Sequence, residues 1–340
     1  MVTKTYFGIF LPRLQIRLEK DEEEFEIQSG FSIKKIPPEL KDFPSLGEEA
    51  TKVLSSADKK YINEASWCFA CNFEDPYEDK SNPDNLTDEE RIRQRDENLT
   101  QANEFLWRFI LITAFKYHSY LFCPYKCTTS KELSSIWFSK PKPTPPGDDE
   151  KTIKDFLQGK AFWNYSIKKQ QLHTLKDIFV KINEKLNLAG DDQQKFRNSI
   201  ISAREAFQEK DMANQLLLFT ISLENLFNDG HGNINHKMCT RMACFLKSNY
   251  EERKEVYDEM KRVYGIRSRI SHGDLNYNNP KQVIELIITR LNVRKLACEV
   301  LSKFLENEKL WSVFDSDNAW KEFLRGLDLG KHSLQTTQPT

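Results

Sequence analysis

The stretch ERKEVYDEMKRVYGIRSRISHGD, residues 252–274, decides how the second half of this chain is read. Its apolar positions Val256, Met260 and Val263 recur at spacings of four and three, the period of an amphipathic helix, and the stripe continues through Arg267 to Ile270. Arg267 thus occupies a position that the pattern reserves for a core residue. A guanidinium withdrawn from water is costly unless it is paired, so a carboxylate or an anionic ligand is expected beside it. His272 follows, and then Gly273, which suits the left-handed residue that closes a helix. Five positions along an unbroken helix amount to a rotation of about 140°. Arg267 and His272 meet only if the helix end lets the imidazole turn. On these residues alone, the plain reading is a buried Arg paired to a helix carboxylate, followed by a capping His.

Working outward, the same periodicity predicts helices near 152–158, 168–187, 192–209, 211–228, 235–248, 250–272 and 280–308, and a short one at 317–327. Asn187 to Asp192, Asp229-Gly230-His231-Gly232 and Gly273 through Pro280 supply the breaks. Connections this short imply antiparallel neighbours in a bundle. Residues 1–140 have a different texture. YFGIFL (6–11), FSIKKI (31–36), ASWCFACNF (65–73) and SSIWFS (134–139) read as strands. Thr87-Asp88-Glu89-Glu90 resembles a capping box, a helix is expected near 100–118, and the charged stretch 74–97 reads as a loop. The expected fold is therefore mainly α, a C-terminal helical bundle preceded by a smaller α+β domain. The expected domains are 1–140, a Pro-rich linker at 141–150, the bundle at 151–330 and a disordered tail at 331–340.

Composition bounds the function. Of 340 residues, 39% are hydrophobic and 30% charged, with only 12 glycines, which favours helices over turn-rich β architecture. The net charge of -1 gives no standing attraction to nucleic acid, so any such contact must rest on a local site. No run approaches the roughly 18 apolar residues of a membrane span, and no signal-peptide core is visible. With seven cysteines, an odd number, reduced thiols and a cytoplasmic location are the expectation, and the Asn-x-Thr sequons at Asn85 and Asn98 should be inert. Cys68-x2-Cys71 and Cys123-x3-Cys127 have the count for a zinc site. However, an odd offset within a strand sends Cys68 and Cys71 to opposite faces, which favours buried free thiols. No metal and no cofactor are expected: Walker, dinucleotide and nucleophile-elbow motifs are all absent. His231 and His236 read as loop residues, and His118 and His173 as packing or surface residues.

The order of three segments carries more than any one of them. FTISLENLFNDG (219–230) is followed by INHKMCTRMACFL (234–246) and then by the segment quoted first. This order resembles the Apea-like branch of the HEPN superfamily. There, a helix ending in Leu-Glu-x-Leu-Phe precedes one carrying Lys and Arg, and a third ends in Arg-x4-His-Gly. Glu224, Lys237, Arg241, Arg267, His272 and Gly273 match that pattern. The resemblance covers about 195–275, with a weaker extension through IKKIPPEL (33–40) and the helix after Tyr165. Position 269 is Arg where Lys is also typical.

The resemblance implies a metal-independent endoribonuclease. The ribose 2′-hydroxyl attacks the adjacent phosphate and leaves 2′,3′-cyclic phosphate and 5′-hydroxyl ends. His272 would move protons and Arg267 would stabilise charge on the non-bridging oxygens. It also implies a homodimer with a composite cleft, structured RNA such as tRNA as substrate, and a role in bacterial antiviral defence by abortive infection. The N-terminal domain would then sense a phage-derived or protein trigger. Glu224 could orient Arg267 or His272, or belong to a structural ion pair. Arg269, Lys261 and Arg262 could hold flanking phosphates or form a solvated helix face, and Lys237 and Arg241 are further candidates for RNA contact. The alternative is a non-catalytic HEPN module that binds RNA, nucleotide or a protein partner.

Overall fold

A computed structural model describes residues 2–9, 15–19, 22–38, 63, 66–75, 87–117, 125–130, 136–139, 166–187, 194–209, 211–230 and 232–331. The contacts divide the chain into two compact units. One comprises Met1–Thr113 with Ser119–Val180, and the other Ala114–His118 with Lys181–Thr340.

The first unit is built on an antiparallel sheet in the order β3-β4-β5-β1-β6-β7. Its strands are β1 (Val2–Ile9), β3 (Glu24–Gln28), β4 (Phe31–Lys35), β5 (Trp67–Asp75), β6 (Tyr125–Ser130) and β7 (Ile136–Ser139). A separate parallel pair joins β2 (Gln15–Arg17) to β8 (Ser166–Lys168), with Ile16 opposite Ile167. The first helix, α1, spans Asp88–Tyr117 without interruption. The capping box is real: Glu90 N–H donates to Thr87 Oγ1 at 3.3 Å, and Thr87 N–H donates back to Glu90 Oε2 at 2.7 Å. The charged stretch after it is therefore helical and not a loop, because this cap starts the helix well before its apolar half. In that half, Phe105 and Phe109 meet Phe31 and Phe69 of the sheet.

Helix α2 (Lys169–Asn187) is divided between the two units. Up to Val180 it belongs to the sheet unit. Phe179 is fully buried, with ring centroids 6.0 Å from Phe105, 6.3 Å from Phe31 and 6.5 Å from Phe109. Lys169 pairs with Glu22 at 2.7 Å and Lys176 donates to the carbonyl of Glu26. The Pro-rich stretch 141–150, the helix expected at 152–158 and the tail after Lys331 lie outside the described residues.

The second unit is helical: α3 (Gln194–Gln208), α4 (Met212–Phe227), α5 (Ile234–Leu246), α6 (Tyr250–His272), α7 (Pro280–Glu306), α8 (Glu308–Trp311), a 3-10 turn (Ser312–Phe314) and α9 (Asp317–Asp328). Side-chain oxygens of Asp211, Asn233, Asn249, Asn279 and Ser316 accept the first free backbone N–H groups of α4, α5, α6, α7 and α9. The core is aromatic. Phe304 stacks on Phe245 at 4.8 Å and meets Phe196, Phe227 and Phe314. Trp320 of α9 donates its indole N–H to the Leu226 carbonyl at 2.9 Å, tying the C-terminal helix to the end of α4. No helix among the described residues is long and apolar enough to cross a membrane.

Phe179→Ala removes a fully buried ring that the sheet shares, and should destabilise the first unit by about 3–5 kcal/mol. Hydrogen exchange should show faster exchange in β4 and β5. If those strands kept their protection, the placement of α2 with the sheet would be wrong.

Candidate functional site

Helix α6 opens on Asn249, whose side chain accepts from Glu252 N–H, and closes at Gly273 in the left-handed conformation, φ 74°. The Asp274 N–H returns to the Arg269 carbonyl at 2.8 Å, so the last turn is stitched shut and any Cβ at 273 would be strained. The helix buries Val256, Met260, Val263, Tyr264 and Ile266. Arg267 extends this inward stripe near its end and stays 36% exposed.

The expected counter-charge is Glu224, on α4. One of its oxygens accepts from Arg267 Nη2 at 3.3 Å, and the other from the Tyr264 hydroxyl at 3.0 Å. The Arg267 guanidinium also lies 5.9 Å from the centre of the Tyr264 ring. Burial, followed by the charge of Glu224, pushes the ionisation of Tyr264 up, so its hydroxyl remains a donor to the carboxylate. One donor is left over: Arg267 Nε is buried with no hydrogen-bond partner. The guanidinium is thus held by a carboxylate and a ring, and it is not fully satisfied.

His272 is the last residue of α6 and is exposed, with no hydrogen bond or ion pair to the described residues. The left-handed residue comes one position later, at Gly273, so His272 keeps helical geometry. Relative to Arg267 it is turned by about 140° and advanced by about 7.5 Å along the axis. Arg267 follows the buried stripe, whereas His272 shares the outward face with Lys261, Gly265 and Ser268, all exposed. The helical backbone thus directs the two side chains apart within one chain, and among the described residues no hydrogen bond joins them.

The other basic candidates divide sharply. Arg241, a candidate for RNA contact, is instead sealed, its side chain 1% exposed. It donates to both oxygens of Asp328 at 2.8 Å, to Asp229 at 2.8 Å and to the Phe227 carbonyl at 2.7 Å. Four of its five N–H groups are spent on the α4–α5 turn and α9, and the side chain is sealed from solvent, so a phosphate does not reach it. Lys237 leans on Asp229 at 3.3 Å. Arg269 pairs with Glu285 of α7 at 2.6 Å, and Arg262 with Glu259 at 3.0 Å. Lys261 is exposed and makes no ion pair among the described residues.

Several residues escaped the sequence reading. Tyr264 lies three positions before Arg267, a spacing that puts the two on adjacent turns of one face. His236 is a residue of α5 and not of a loop, and its Nδ1 lies 2.9 Å from the Tyr257 hydroxyl of α6. His173 packs edge-on against Phe25, while His118 and His231 lie outside the described residues. Cys68 and Cys71 are buried free thiols, and burial pushes Cys71 up to about 12. Cys127 falls in β6 and Cys123 outside the described residues, and no cluster fit for a metal occurs among the described residues.

Comparison with protein-family models, with curated proteins and with solved structures yields no match for this chain.

Arg241→Met strands Asp328 without its cation and takes from Asp229 the shorter of its two ion pairs, leaving it Lys237. The substitution should lower unfolding free energy by about 3 kcal/mol, the lower end for a broken buried pair because Asp328 is partly solvated. Urea unfolding measures this, and a loss within experimental error would show that the clamp is dispensable.

Proposed function

We propose that the chain is a metal-independent endoribonuclease of the HEPN type that works as a homodimer. The observation that carries the reading is the state of two side chains at one end of α6. Arg267 is oriented by Glu224 and Tyr264 while keeping a partly exposed guanidinium, and His272 is exposed and uncommitted. The motif order around them supports the same reading. Because a continuous helix turns the two side chains apart, the composite site pairs Arg267 of one copy with His272 of the other. The imidazole would take the 2′-hydroxyl proton or return one to the departing 5′-oxygen. The guanidinium would hold the non-bridging oxygens as charge builds on them, through its planar fork. Glu224 keeps Arg267 in place and is a positioning residue. The resemblance extends this proposal to structured RNA such as tRNA as substrate, to antiviral defence by abortive infection as the setting, and to the first unit as the part that senses a trigger.

A second reading has a specific observation in its favour. Arg267, Glu224 and Tyr264 form an ion pair and a hydrogen bond inside one chain, an arrangement that a non-catalytic binding module would also use. Under it, neither Arg267 nor His272 contributes to RNA cleavage.

Sequencing of RNA ends after incubation with purified protein separates the two. Wild type should produce 5′-hydroxyl ends at defined positions, and His272→Ala and Arg267→Ala should each lose cleavage by about a hundredfold or more. Thermal melting should show both variants folded, since Tyr264 still serves Glu224. Mixing the two inactive variants should restore about a quarter of wild-type activity, because half of the dimers formed are mixed and each holds one intact composite site. Cleavage that survives both substitutions would remove the nuclease, and failure of the mixture alone would remove the arrangement across two copies.

A further inference from the structure

Helix α7 carries two arginines one turn apart, Arg290 and Arg294. Arg290 Nη1 donates to Oε1 of Gln215 on α4 at 2.9 Å. Gln215 is itself fixed, because its amide nitrogen donates to the Glu209 carbonyl at the end of α3. The Arg294 guanidinium lies 5.1 Å from the centre of the Phe207 ring. Gln215 brings no charge, and Arg290 meets no carboxylate within ion-pair distance among the described residues. Burial and the like charge of Arg294 together pull the Arg290 pKa down. That is the reverse of Arg241, whose two aspartates raise it against its own burial.

The physical problem is plain. Half-burying a guanidinium is unfavourable without a counter-charge, and a like charge at i,i+4 on a helix adds to the penalty. The remaining N–H groups of Arg290 are not sealed, since none is a buried donor without a partner. A cationic fork is therefore held by a fixed amide at one corner, flanked by a second guanidinium laid on an aromatic ring, and open on its other side.

We propose that Arg290, flanked by Arg294 and Gln215, is a binding site for a phosphate-type oxyanion, a phosphate monoester or diester. The planar guanidinium gives two parallel donors to such an oxyanion, and the anion supplies the charge that Arg290 does not receive from Gln215. This site stands independently of the nuclease reading. The two sources of such a group are a free phosphorylated small molecule and the backbone of a nucleic acid.

The test titrates the full chain by calorimetry with inorganic pyrophosphate and, separately, with a 2′-O-methyl oligoribonucleotide that cannot be cleaved by 2′-hydroxyl attack. Wild type should bind at least one of them. Arg290→Gln and Arg294→Gln should each weaken binding about tenfold or more, the value of one charge-assisted hydrogen bond. Loss seen with pyrophosphate assigns the site to free phosphates, and loss confined to the oligonucleotide assigns it to a backbone; either supports the proposal. No binding of either probe by wild type, or equal binding by wild type and Arg290→Gln, overturns it. Circular dichroism establishes that the variants fold, and if Arg290→Gln does not, the same criteria apply to Arg294→Gln. Lys321→Ala, on α9 and outside both sites, should bind pyrophosphate as wild type does.

Discussion

A guanidinium that leaves water must find its counter-charge elsewhere, and the helical unit is organised by how far each of its arginines meets that condition. Arg241 meets it completely, with two aspartates and a carbonyl around a side chain that solvent hardly reaches. Arg267 meets it in part, with one carboxylate at 3.3 Å, a ring beside it and one buried nitrogen unserved. Arg290 meets it with a neutral amide alone. Full compensation of the charge on a sealed side chain makes a strut, because solvent and ligands do not reach it. Incomplete compensation keeps binding capacity in reserve. The three residues thus form a series from architecture to recognition, and the ordering follows from their partners and not from their positions in the chain.

The strut comes first because the half-satisfied site hangs from it. Arg241 grips the carbonyl of Phe227 and the carboxylate of Asp229, at the end of α4 and in the turn that follows. Glu224 sits one turn earlier on the same helix. Trp320 fixes the neighbouring Leu226 carbonyl from α9, the helix that also supplies Asp328. The last turn of α4 is therefore held from outside by two side-chain contacts on its backbone. Glu224 can then present a carboxylate to α6 at a set position, and Tyr264 and Arg267 share its two oxygens without competing.

Much of this was legible in the sequence, and the misses have physical causes. Helix limits in the second unit were readable because Asp211, Asn249, Asn279 and Gly273 are residues whose chemistry belongs at helix ends. A counter-charge for Arg267 was also readable, because an apolar stripe interrupted by Arg demands one, and Glu224 was already a candidate. Arg241 was misread because its partners lie 12 and 87 residues away, and no local pattern encodes such a contact. The start of α1 was misread because charge density was weighed above the capping box. The division of α2 between the units was not legible, because the composition change that stands out in the sequence is the Pro-rich run at 141–150. What joins α2 to the first unit is a set of distant contacts, Phe179 against Phe31 and Phe105, His173 against Phe25 and Lys169 with Glu22, that no local pattern encodes.

The outward face of α6 carries a constraint of its own. With a net charge of -1 the chain offers no general attraction to a polyanion, so any RNA held near His272 must be held by cations close at hand. Two of those nearest along the helix are already engaged, Arg262 with Glu259 and Arg269 with Glu285. Lys261 is an exposed cation on the face of His272 that makes no ion pair among the described residues. So few free charges cannot grip a long backbone tightly, and they make contact sensitive to salt. Selection among RNAs would then rest on shape, since a folded RNA that fits the helix end places its phosphates at Arg267 without an electrostatic funnel to collect it. A second copy of α6 doubles the local charge at such an end and does so without altering the charge of the chain. Under the proposed dimer, the weak electrostatics and the divergence of Arg267 and His272 along α6 would be met by the same second copy.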